Sequence, residues 1–123
     1  MYTLRVETEF SAAHFLSHYH GKCENLHGHN YKIRLWIRDA GLNEGGMVVD
    51  FSLLKKALKD TTDLLDHKNL NDIEIFQNDP SAERIARFIF ETARGKLAGL
   101  GITIEPWRVD VFENSASMAR YEE

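Results

Sequence analysis

Cysteine occurs once in the 123 residues. A lone thiol excludes any disulfide within the chain, so no covalent staple holds the fold. An apolar leader behind a basic start is also missing, which removes the usual signs of secretion or membrane insertion and predicts a reducing, cytoplasmic setting. Positive charge is in deficit: fifteen lysines and arginines stand against nineteen aspartates and glutamates, a formal net charge of -4. That balance disfavours general attraction to nucleic-acid phosphates, and an anionic ligand needs a local basic pocket. No repeat, low-complexity tract or linker divides the sequence, which predicts a single domain over residues 1–123. With 43% apolar residues such a domain buries a core, yet it lies near the small end of comfort, where association between copies helps.

Against these absences, histidine is concentrated. His14 is followed by the stretch from Cys23 through Glu24, Asn25 and Leu26 to His27, Gly28 and His29. On an extended chain, residues two apart project to the same side, so His27 and His29 can grip one ion together. His14, from a neighbouring strand, makes a third imidazole. Three neutral ligands leave a zinc ion its full charge and an open fourth position, the pattern of a catalytic site. Spacing alone also fits ordinary surface polarity, and His18 or His20 could replace His14 as the third ligand.

The surrounding pattern places these residues. From Thr3 to His14, Leu4, Val6, Phe10 and Ala12 share one parity and Arg5, Glu7, Glu9 and Ser11 the other, the mark of a two-faced strand. His14 has the apolar parity, and a buried imidazole there wants a partner. A second alternating run sets His27, His29, Tyr31, Ile33, Leu35 and Ile37 against Asn30, Lys32, Arg34, Trp36 and Arg38. Paired as an antiparallel hairpin, the two runs put Glu7 and Glu9 on the face of Lys32, Arg34 and Arg38, where cross-strand charge pairs form. That polar face could also line a lumen.

Gly41 to Gly46 read as a turn. A helix capped by Asp50 follows, with Leu54, Leu58, Thr61 and Leu65 at helical spacing, and it should cover the histidine-bearing face. A second helix, expected beside it, starts at Asp79 and Pro80, a cap followed by proline in the first turn. It carries Ile85, Phe88 and Ile89 until the glycines from Gly95 to Gly101 break it. Two short strands remain, roughly Ile102 to Glu113 and Ser117 to Tyr121, joined at Asn114 and Ser115. The expected fold is α+β, in the order ββααββ.

Three further positions carry chemistry. Cys23, four residues before His27 on a loop, fits either a base or a fourth zinc ligand, which would close the site. Asp66 beside His67 fits a carboxylate that fixes an imidazole tautomer, or simply a polar helix terminus. Glu113 shares the parity of Val109 and Val111, so its carboxylate can reach the edge of the apolar face. There its two oxygens suit a heterocycle bearing an amino group and a ring N–H, although a solvated glutamate is the commoner fate.

Taken together, Ala12-Ala13-His14, Cys23-x-x-x-His27-Gly28-His29-Asn30, Val49-Asp50-Phe51, Leu65-Asp66-His67-x-x-Leu70-Asn71 and the late Glu113 resemble the 6-pyruvoyl-tetrahydropterin and 6-carboxy-tetrahydropterin synthase family over essentially the whole chain. The three residues between Cys23 and His27 look like the carboxy branch, because pyruvoyl-forming relatives usually have a longer gap. The resemblance implies a tunnelling fold (T-fold): a four-stranded antiparallel sheet with two helices packed on one face. Trimers close their sheets into a barrel and pair as a homohexamer, with active sites between subunits. It implies one zinc ion per subunit on His14, His27 and His29, with Cys23 as proton acceptor. Asp66 and His67 form a proton relay, and Glu113 anchors the pterin and assists the relay. Relatives often carry threonine after the proline that opens the second helix. Here Ser81 and Ala82 follow Pro80, so backbone contacts to pterin survive and a threonine hydroxyl contact does not. For this branch the implied reaction converts 7,8-dihydroneopterin triphosphate to 6-carboxy-5,6,7,8-tetrahydropterin, releasing acetaldehyde and triphosphate, on the route to queuosine. The enzyme would be a carbon–carbon lyase. No nucleic acid and no membrane enter this expectation; a pyruvoyl-forming synthase and a non-catalytic structural zinc protein are the alternatives.

Overall fold

Alternation of apolar and polar residues builds two long strands, β1 (Tyr2–His14) and β2 (His27–Asp39), in a computed structural model that describes residues 1–123. They pair antiparallel over their whole length, from Tyr2 opposite Asp39 to His14 opposite His27. The expected parity holds: Val6, Phe10, Ala12 and His14 are buried on one face with Tyr31, Ile33, Leu35 and Ile37. On the other face Arg34 donates from Nε to Glu7 at 2.8 Å.

Helix α1 (Phe51–Thr62) starts where the sequence predicts, with the Asp50 carboxylate accepting from the Ser52 N–H at 2.8 Å. It buries Leu54, Ala57, Leu58, Thr61 and Thr62, packs on β1, and lies against α2 (Ala82–Gly99). α2 covers β4 (Pro106–Asn114) and β5 (Ser117–Glu122) with Ile85, Ala86, Ile89, Phe90, Ala93 and Leu97. Both helices therefore sit on the apolar face. Burying a side chain such as Leu54 or Ile89 contributes about 2 kcal/mol, which identifies this layer as the source of stability. No helix is long and apolar enough to cross a membrane.

The sheet has five strands rather than the expected four, in the order β3-β1-β2-β4-β5, and it is mixed. The extra strand, β3 (Lys68–Asn69), runs parallel to the end of β1 at Ala12 and Ala13. Two residues are too few for an alternation signal. What lays them there is the preceding segment, in which the His67 N–H donates to the Ser11 carbonyl at 2.6 Å and the Asp66 carboxylate accepts from the Ser11 N–H at 2.9 Å.

The second helix begins later than expected and ends within the predicted Gly95 to Gly101 stretch. Ser81, not Asp79, caps α2, accepting from the Arg84 N–H at 3.3 Å, and Pro80 stays outside the helix. Gln77 and Asn78 both adopt left-handed backbone angles, φ 51° and 61°, which turns the chain sharply before the cap, while Asp79 is drawn to His18. Gly95 does not stop the helix. A glycine there costs about 1 kcal/mol, less than burying Ala93 and Leu97 on either side of it gains. The break comes at Gly101, φ 78°. β4 consequently starts at Pro106 instead of Ile102.

Candidate metal centre

Three imidazoles converge where β1 ends and β2 begins. His14 and His27 face each other as the last pair of the β1–β2 ladder, and His29 stands two residues further along β2 on the same face. Ring centroids are 4.5 Å apart for His14 and His27, 5.0 Å for His14 and His29 and 4.8 Å for His27 and His29. One ligand atom from each lies within 4.8 Å of the others.

Backbone carbonyls set the tautomers. His14 Nδ1 lies 2.7 Å from the Pro80 carbonyl and His27 Nδ1 lies 2.7 Å from the Asn25 carbonyl. An acceptor at Nδ1 requires the proton there and leaves the Nε2 lone pair of each neutral ring free, the usual outer support of a metal-binding histidine. The Nε2 atoms of His14 and His29 are buried and have no hydrogen-bond partner. Burial is the main influence that pushes the pKa of both rings below the ordinary histidine value, although the nearby Glu113 charge opposes it. Neutral rings with orphaned nitrogens turned towards one another fit a cation better than any other occupant, since buried polar atoms otherwise find partners. The three histidines could hold a metal ion.

Glu113 stands over this cluster. Its two carboxylate oxygens lie 3.8 Å from His14 Nε2 and 3.8 Å from His29 Nε2 respectively. It sits at an irregularity in β4, between Phe112 and Asn114, where the ladder to β5 shifts register. Beneath it Tyr31 is fully buried, and burial together with the Glu113 charge pushes its phenol pKa far up.

Cys23 lies on a short 3-10 turn, Lys22–Glu24, after the exit of β1, and its carbonyl accepts from the Leu16 N–H at 2.7 Å. Its sulfur does not join the converging nitrogens. Cys23 instead lines a cleft of about 230 Å3 together with Ser81, Ala82, Glu113, Leu16 and Met118. Four of the expected site residues therefore share one cleft, at the capped start of α2.

Asp66 and His67 lie elsewhere. They touch each other, Nδ1 to Oδ1 at 2.9 Å, and the Ser11 N–H, followed by the His67 contact, holds the Asp66 carboxyl below its ordinary range. The His67 ring is 82% exposed, on a residue with φ 59°. It lines a depression of about 520 Å3 with Ser11, Ala13, Gly28, Asn30 and the cluster residue His29, a different hollow from the Cys23 cleft. Within one chain the pair is assembled but not delivered to the Cys23 cleft. Nor is it a helix terminus, because α1 ends at Thr62.

His18 and His20 stay outside the cluster: His18 pairs with Asp79, His20 lies 3.6 Å from Glu24, and both are exposed. Sequence reasoning missed the Pro80 and Asn25 carbonyls, because a backbone oxygen carries no residue-type signal. It placed Tyr31 only as a core residue.

Comparison with known proteins points to one family. A family model described as 6-pyruvoyl tetrahydropterin synthase matches residues 3–123. The chain is 39% identical to a Synechocystis protein named 6-carboxy-5,6,7,8-tetrahydropterin synthase, covering 98% of this chain and 93% of that one. An Aquifex aeolicus protein of the same name is 31% identical over 83% of this chain and 76% of its own. Among solved structures, that of Caenorhabditis elegans 6-pyruvoyl tetrahydropterin synthase superimposes with a TM-score of 0.85 at 28% identity, covering 99% and 95% of the two chains.

Proposed function

The chain is an enzyme of the 6-pyruvoyl tetrahydropterin synthase family, and from that premise we propose that it is the carbon–carbon lyase that converts 7,8-dihydroneopterin triphosphate to 6-carboxy-5,6,7,8-tetrahydropterin, with release of acetaldehyde and triphosphate. The observation that carries this reading is the junction of three converging imidazoles with a cleft holding Cys23 and Glu113. The short gap between Cys23 and His27 and the names of the two bacterial relatives support the carboxy branch. The product feeds the 7-deazaguanine precursor of queuosine.

His14, His27 and His29 would hold one zinc ion per subunit. Bound there, zinc supplies Lewis-acid polarisation of the oxygens on the substrate's side chain. Glu113 accepts from the pterin's amino group and ring N–H, a two-point grip that orients the heterocycle. The backbone at Ser81 and Ala82 contacts the ring edge at the start of α2. Cys23 takes a proton from the side-chain carbon as its thiolate. Asp66, kept ionised by the Ser11 N–H, holds the His67 ring by Nδ1, so that Nε2 is the atom that exchanges protons with substrate oxygen.

Since Asp66 and His67 stand apart from Cys23 in one chain, the complete site forms between subunits of a homohexamer, with the relay supplied by a neighbour. Both edges of the sheet are available for that assembly: β5 pairs only with β4, and beyond the short β3 the outer edge of β1 is open. Open edges are natural places for strands of another copy to add.

Incubating the protein with 7,8-dihydroneopterin triphosphate and identifying products by mass tests the proposal. We expect 6-carboxytetrahydropterin and acetaldehyde, lost with a chelator and restored by zinc. Triphosphate elimination without acetaldehyde would move the enzyme to the pyruvoyl branch named for the C. elegans structure. No turnover with zinc restored would sink the assignment.

A further inference from the structure

Tyr31 is fully buried, yet its hydroxyl has no hydrogen-bond partner. The ring is fixed in place: it stacks on Phe10 at 4.8 Å and meets the edges of His29 and His14 at 5.3 and 5.8 Å. An unmade donor in an apolar layer opposes folding, and a phenylalanine would fill the same space without that penalty. The hydroxyl is therefore the part of the residue that packing does not explain.

An acceptor lies alongside. The β2–β4 ladder ends with Lys32 opposite Phe112; Tyr31 and Glu113 are the residues next to that pair on the two strands, and the Glu113 charge acts on the phenol. The Glu113 carboxylate makes no hydrogen bond of its own; the imidazole nitrogens of His14 and His29 are each 3.8 Å from it. A donor and an acceptor, cross-strand neighbours and both unsatisfied, flank the candidate metal centre. An ionised carboxylate has about four lone-pair positions. One taken from below by a phenol leaves the others facing the cleft, and the bond restrains the carboxylate from swinging onto the imidazoles.

We infer that Tyr31 is a positioning residue for Glu113: in the ligand-bound site its O–H, unpaired in this structure, donates to the Glu113 carboxylate and aims it at the paired N–H donors of a heterocyclic ligand. This rests on the pterin reading above and extends it to a residue that makes no contact with substrate.

The test is a double-mutant cycle on zinc-loaded protein, with neopterin binding followed by calorimetry. Tyr31→Phe in the Glu113 background is expected to weaken neopterin about tenfold, the order of one charge-assisted hydrogen bond. In the Glu113→Ala background the same change should cost no more than about twofold, because the acceptor it acts through is gone. Zinc content should be unchanged, and in turnover the loss should fall on KM. Equal effects in both backgrounds, or none in either with a raised melting temperature, would overturn the inference while leaving the pterin assignment intact. If wild-type protein fails to bind neopterin, the pterin assignment falls and this inference with it.

Discussion

At the scale of single residues, the difference between holding a metal and doing chemistry beside it separates His27 from Cys23. His27 offers a free Nε2, with Nδ1 committed to the Asn25 carbonyl. Removing one of three imidazoles leaves a two-ligand remnant that binds zinc far more weakly. His27→Ala should accordingly lose the metal, and atomic absorption finding full zinc would remove this ring from the coordination shell. Cys23 lies in the cleft but not among the converging nitrogens. Cys23→Ala should retain zinc while turnover drops by about two orders of magnitude or more, the usual scale for deleting a general base. Zinc lost together with activity would make the thiol a ligand. At this scale the sequence was informative, because residue type and spacing of two carry ligand chemistry directly. It was silent on what orients the rings, since that role belongs to the carbonyls of Pro80 and Asn25.

At the scale of elements, the strands are joined by more than their ladders. On the open face, Asp110 of β4 is 1% exposed and accepts from the Trp36 indole of β2 at 2.8 Å and from the Arg120 guanidinium of β5. Burial pushes the Asp110 carboxyl up, but the hydrogen bonds from Arg120 and Trp36 outweigh it and hold the pKa below the ordinary value of 3.8. A depressed carboxylate stabilises the fold above its unfolded pKa and loses that contribution as pH falls through the folded one. Asp110→Asn should therefore cost about 2 kcal/mol at neutral pH, the scale of losing a part-buried ion pair. The gap between variant and wild type should close as pH falls below about 3.8, and chemical denaturation at both ends of that range checks it. A gap that persists in acid would mean the aspartate acts by shape, not charge. Alternation and the Asp50 cap announced β1, β2 and α1. The start of α2 was misplaced because Asp79, a good cap by type, is engaged by His18, a partner 61 residues away in sequence.

At the scale of the whole molecule, the position of the Asp66–His67 pair has the largest consequence. It is fastened to β1 through Ser11 and turned to a different hollow, while Cys23 and Glu113 face the cleft at the start of α2. If the site is completed by a neighbouring subunit, Cys23→Ala and His67→Ala are each inactive alone but complement each other when co-expressed. With random mixing, about a quarter of the sites then hold both intact residues. Activity no higher than that of either variant alone would place the whole site within one chain. What the sequence determined by itself was the set of donors and the face on which each strand presents them, because parity and residue type are local properties. Only the tertiary structure decided which donors meet. Closure of the β1–β2 ladder brings His14 opposite His27, the left-handed turn at Gln77 and Asn78 delivers the Pro80 carbonyl, and the Ser11 contacts carry His67 away from Cys23. Each of these is a contact between segments distant in sequence, and no local pattern encodes the partner at the far end.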